Sequence, residues 1–244
     1  WQAVDLFNQA IAADPKFAQA YGGLALAYAV IPDYSARISY ENAFRLVTDA
    51  VGMALGLDPT LPEPYAALAS AASWERRRNT AITLLERAIA IRPSFATAYQ
   101  WLGTDTMMAG NPAAGLAALD RASELDPRSL VVANNRGYVL LTLGRVADAR
   151  ATCERVLAFA PDYRGCQIIV AFAELLRGGH VEDRFVGARG HVGIHALEHG
   201  QGVEAADVNI GIAVVVVGPG DDEVAVGVAG DGGVALIVAE EGTV

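Results

Sequence analysis

The stretch AITLLERAIAIRPSFATAYQWLGTD, Ala81–Asp105, decides the fold. An apolar phrase with helical spacing runs into Pro93, and a second helical phrase starts at Phe95. Proline ends the first helix because it lacks the N–H and holds the residue before it in extended backbone. Working outward, the same phrase recurs as AVDLFNQAIAADP (3–15), LVTDAVGMALGLDP (46–59), GLAALDRASELDP (115–127) and ADARATCERVLAFAP (147–161). The closing prolines, Pro15, Pro59, Pro93, Pro127 and Pro161, are 44, 34, 34 and 34 residues apart. Five residues before each stands a small side chain: Ala10, Ala54, Ala88, Ala122, then Val156. Eight before it stand Phe7, Val51, Leu85, Leu119 and Cys153. Such a period means helix pairs that cannot bury their apolar faces alone and stack on one another.

Second phrases follow each proline: FAQAYGGLALAY (17–28), LPEPYAALASAA (61–72), FATAYQWLGTD (95–105) and LVVANNRGYVLL (130–141). In these, Tyr21, Leu24, Ala25 and Tyr28, then Tyr65, Leu68 and Ala69, then Tyr99, Leu102 and Gly103 resemble the tetratricopeptide repeat. The next unit keeps Gly137, while Ala133 and Arg136 depart from the pattern. The resemblance implies an all-α, right-handed superhelix over residues 1–180. It begins with a half repeat, continues in units near 18–61, 62–95, 96–129 and 130–163, and closes on a partial unit at 164–180. The 44-residue interval places ten extra residues around IPDYSARISYENAF. Pro32 and Asp33–Ser39 predict a longer loop, and Tyr40–Leu57 a longer second helix. With the LDPTLPEPYAALA phrase, this resembles repeat arrays of bacterial signalling proteins that follow a nucleotide cyclase or winged-helix domain. That implies a regulatory or sensor role for a cytoplasmic protein, with such a domain preceding Trp1. The opening at Trp1, without Met or a signal-peptide pattern, reads as a fragment of a longer chain.

In this family the first helix of each pair lines a concave groove that holds peptides or partner helices. Carried onto this sequence, the groove positions are Trp74, Thr97, Gln100, Thr104 and Met107, then Val131, Asn134, Asn135, Tyr138 and Thr142. Asn135 falls where some members hold a peptide backbone, but Gly23, Ala67, Trp101 and Ile169 stand at the equivalent positions, so there is no asparagine ladder. The cationic clamp for a terminal carboxylate is missing as well, since Lys16 is the chain's single lysine. A neutral groove suits an extended peptide or an apolar helix. The expected function is a non-enzymatic interaction scaffold for a protein or peptide partner, without cofactor, metal, membrane or direct nucleic-acid contact. Net charge is −10, opposite to what phosphate binding needs. Arg76–Arg78 read as a solvated turn, and Cys153 and Cys166 as small core side chains.

Residues 181–244 are another kind of chain. They carry 2 basic and 11 acidic side chains, against 16 and 17 in residues 1–180, and 13 of the 25 glycines. The second helix of the last unit, due from about Glu182, is not written there. From Gln201 onward, 36 of 44 residues are Val, Ala, Asp, Glu or Gly. Those five share a first codon base, which points to out-of-frame translation of a GC-rich gene. As protein, the tail reads either as disordered or as a small β-meander of Val208–Val217, Glu223–Val228 and Val234–Ala239. His195, Glu198 and His199 spell H-x-x-E-H, a zinc-hydrolase spacing extended by His191. The glycines flanking and entering that segment argue against the helix such a site needs.

Overall fold

The computed structural model describes residues 1–176 apart from Ala36, together with three strands between 211 and 239. Ten α-helices occur among these residues: α1 Gln2–Ala13, α2 Ala18–Tyr34, α3 Tyr40–Leu57, α4 Glu63–Trp74, α5 Arg78–Ile91, α6 Ala96–Met108, α7 Pro112–Leu125, α8 Leu130–Thr142, α9 Val146–Leu157 and α10 Arg164–Leu176. Short turns fold them into successive helical hairpins. The residue before the turn proline is extended at Asp14, Asp58, Arg92 and Asp126, as the proline ring requires. The amide of Phe17, Phe95 and Ser129 then donates to the carbonyl of that pre-proline residue, which closes the reversal.

The hairpin turns inside each pair repeat with equal fidelity. Arg77, Asn111 and Arg145 donate their amides to the carbonyls of Ala72, Thr106 and Leu140. This six-to-one closure needs a left-handed residue just before the donor. Gly110 and Gly144 supply it at φ 92° and 70°, and Arg76 holds the same place at φ 59°. Asn111 also caps α7 by accepting from the Ala114 amide.

The long interval is built differently from the expectation. Pro32 does not open a loop: it lies inside α2, which runs on to Tyr34. Only the hydrogen bond to the Tyr28 carbonyl is lost, in the last turn, where few bonds remain to be made. Ile31 and Pro32 are buried there, which holds the extra turn. The added residues therefore lengthen α2 and α3 to 17 and 18 residues and leave a short connection between them. Ser39 caps α3 through the Asn42 amide.

The core runs as three linked clusters. Val4, Ala25, Val47 and Ala71 join α1 to α4. Ala69, Ala81, Leu85 and Ala98 join α4 to α6. Leu119, Leu140, Cys153 and Ile169 join α6 to α10. Each cluster takes residues from at least two hairpins, so no hairpin encloses its own core.

The second compact unit, Glu182–Val244, is described only as backbone strands. Strands β1 Gly211–Val215, β2 Glu223–Ala229 and β3 Leu236–Ala239 pair antiparallel in chain order, with Val214 opposite Val226 and Ala225 opposite Ile237. The expected helix from Glu182 and the His195–His199 segment lie outside the described residues.

Candidate functional site

On α6, Thr97, Gln100 and Thr104 follow one another at steps of three and four, which puts them on one face. On α8, Val131, Asn134 or Asn135, and Tyr138 do the same. The 34-residue period sets Thr97 against Val131, Gln100 against Asn134 and Thr104 against Tyr138. All these residues are half-buried, and α6 and α8 are in contact, so the two stripes adjoin. None of these side chains is charged.

Their neighbours differ. The Thr104 hydroxyl donates to the Trp101 carbonyl at 2.9 Å, and the exposed Thr142 hydroxyl to the Tyr138 carbonyl at 3.1 Å, so both are engaged by their own helix. Asn134 lies at the seam with α10: a Cβ added to Gly165 would come 2.5 Å from its Oδ1. Trp74 packs edge-on against Tyr40, with ring centroids 5.4 Å apart, and rests on the first core cluster. It is a joint between α3 and α4 as well as a groove position. Met107 is only 9% exposed and is spent on the core against Gly115. Met108, half-buried, holds the register shared by Trp74 and Thr142. A one-residue shift separates groove from core, and family spacing alone did not resolve it.

The arginine triplet is not simply a solvated turn. Arg77 pairs with Glu75 at the surface. Arg78 reaches across to Asp105 at 3.0 Å and to the Ser73 carbonyl at 3.2 Å, while the Ser73 hydroxyl donates to the same carboxylate at 2.7 Å. Asp105 is buried, and loss of hydration pushes its carboxyl pKa up against the opposing pull of Ser73 and Arg78. This cluster ties the α4–α5 hairpin to α6.

Cys153 and Cys166 are buried side by side as free thiols. The hydrogen bond to Cys166, together with burial, pushes the Cys153 thiol up, so it stays protonated. Among the described residues no group of three or more His, Cys, Asp or Glu side chains is placed to hold a metal ion. Nor is any helix among them long and apolar enough to cross a membrane.

A second concavity opens between α7, α8 and α9. It is a cleft of about 520 Å³, with Pro127, Ala133, Arg136, Arg155, Val156 and Phe159 among its walls. Its signal in the sequence was the departure from pattern at Ala133 and Arg136.

Residues 102–164 match the family model of the tetratricopeptide repeat. The helical unit is a tetratricopeptide-repeat array. Its fold is shared with the crystal structure of TTC0263, a thermophilic tetratricopeptide-repeat protein of Thermus thermophilus. The TM-score is 0.57 at 18% identity, over 70% of this chain and 89% of that one. YrrB, a tetratricopeptide-repeat protein with an unusual peptide-binding site, is similar at a TM-score of 0.49 and 18% identity, over 72% of this chain and 85% of that one. No curated protein matches the chain in sequence. The tetratricopeptide array is a scaffold on which proteins meet, its stacked hairpins presenting extended surfaces.

Proposed function

We propose that the array binds an extended peptide segment of a protein partner along the adjoining faces of α6 and α8. The observation that carries this reading is the register of Thr97, Gln100 and Thr104 with Val131, Asn134 and Tyr138 on two touching helices. Asn135 and Gln100 offer amides that can both donate to and accept from a peptide backbone, and Tyr138 offers a flat wall for a side chain. Because these positions are neutral, recognition rests on shape and hydrogen bonding, and affinity is nearly insensitive to salt. In this role the array is non-enzymatic and uses no cofactor or metal.

The test is selection of peptides from a displayed random library on the immobilised full chain, followed by titration calorimetry. Asn135→Ala and Tyr138→Ala should each weaken the selected peptides at least roughly tenfold, as loss of a buried interface anchor does. Peptides that bind both variants with wild-type affinity would place the site elsewhere.

A further inference from the structure

One ring recurs six residues after the turn proline, as Tyr21, Tyr65 and Tyr99. The Tyr21 and Tyr65 hydroxyls donate back to the carbonyls of Pro15 and Pro59, at 3.4 and 3.2 Å. In the last unit Gln167 does the same for the Pro161 carbonyl at 2.8 Å. An arginine 22 residues after the tyrosine covers it. Arg87 lies 5.8 Å from the centroid of the Tyr65 ring, and Arg121 is hydrogen-bonded to Tyr99.

The α8–α9 unit keeps every part of this arrangement except the ring. Pro127 makes the turn and Arg155 stands 22 residues after position 133, but position 133 is alanine. Arg155 and Pro127 now line the cleft of about 520 Å³, with Val156 and the half-exposed Phe159 as its apolar wall. Arg136, where other units have leucine, is drawn away by Asp120 and Thr152, both at 2.6 Å, so it is held in place beside the cleft.

We propose that this cleft receives a tyrosine side chain presented by a partner protein. The ring takes the place of the absent repeat tyrosine, Arg155 covers its face, and its hydroxyl reaches the Pro127 carbonyl. Cation–π contact favours an aromatic ring under Arg155. Asp120 and Glu124 on the same wall oppose a phosphate or carboxylate. The site is separate from the groove face of α6 and α8 and does not rest on that reading.

The experiment is an NMR titration of the full chain with N-acetyltyrosinamide, with N-acetylphenylalaninamide and N-acetylalaninamide beside it. Tyrosine amide should shift the resonances of Ala133, Val156 and Phe159, phenylalanine amide should bind several-fold more weakly, and alanine amide should leave them unmoved. Arg155→Met should weaken tyrosine amide roughly three- to tenfold, the range of a cation–π contact. Ala133→Tyr should abolish the shifts and raise the melting temperature by about 2–4 °C as the ring fills the site. Absence of shifts in the wild type overturns the proposal, as does equal binding of alanine amide or undiminished binding to Ala133→Tyr. A destabilised or unfolded Ala133→Tyr overturns it too, because the cleft then does not hold the ring.

Discussion

The α4–α5 and α6–α7 hairpins are written on the same 34-residue frame, yet they close in different ways. In the first, Ala69 and Ala81 meet at the crossing, both wholly buried. In the second, the equivalent residues are Gly103 and Gly115, and the two backbones touch: a Cβ on Gly115 would sit 2.6 Å from the Gly103 carbonyl oxygen. The turns differ in the opposite sense. The α6–α7 turn has Gly110 in the left-handed region, whereas the α4–α5 turn forces Arg76 into it. One hairpin thus gains close approach at its crossing and an unstrained turn. The other keeps helix-favouring alanines and carries strain at its turn, beside the Ser73–Asp105–Arg78 cluster. A repeat fixes where helices cross, and the side chain at the crossing fixes how near they come.

The largest expected effect tests the crossing. Helix propensity alone says that Gly115→Ala stabilises by about 1 kcal/mol. The contact with the Gly103 carbonyl says that it must push the helices apart, for a net loss of about 2 kcal/mol, in the range of overpacked cores. Denaturant melts decide between them, and a neutral or stabilising Gly115→Ala would remove the difference drawn between the hairpins. Ala81→Gly in the first hairpin should lose about 1 kcal/mol, mostly from backbone freedom in the unfolded chain.

The turn comparison comes next and has the opposite sign. A non-glycine residue in the left-handed region costs about 1–2 kcal/mol, and glycine returns part of that as unfolded-state entropy. Arg76→Gly should therefore stabilise by roughly 0.5–1 kcal/mol, and Gly144→Arg should destabilise by a similar amount. Matched urea titrations of the two variants read this directly. Equal and negligible shifts would mean that the turn geometry is not what separates them.

The repeat was legible because it is a backbone-scale regularity. Five prolines at fixed intervals, each preceded by a small residue at the crossing, fix the helices and their pairing. What the spacing did not reveal depends on a single residue's neighbours. Pro32 looked like a loop opener, because its burial beside Ile31 in the last turn of α2 is a tertiary effect. Met107 looked like a groove residue, although a rotation of one position buries it and leaves Met108 in register with Trp74. Arg78 looked like part of a solvated triplet, because Asp105 lies 27 residues away and no local pattern joins them. Half of the cleft was written in plain view as Ala133 in a tyrosine position. The retained Arg155 gave that departure meaning only once Arg87 was seen lying over Tyr65.

Asp105 supplies the smallest effect and the last difference between the seams. At the next seam its register position is Val139, and that of Ser73 on α4 is Met107 on α6, so the α6–α8 contact is apolar where the α4–α6 contact is polar. Burial raises the Asp105 pKa, which means that the folded state holds the proton more tightly than the unfolded state. Its contribution is then fully present below the usual carboxylate pKa and is lost as pH rises through the folded value. At neutral pH the ionised carboxylate is a net cost, moderated by Ser73 and Arg78. Asp105→Asn removes this titration and keeps an acceptor for Ser73. The stability of the wild type relative to Asp105→Asn should therefore improve as pH falls from neutrality into the carboxylate range. A trend of opposite sign in thermal melts across that range would mean that the Arg78 ion pair outweighs desolvation, and that the polar seam stabilises the folded array at neutral pH.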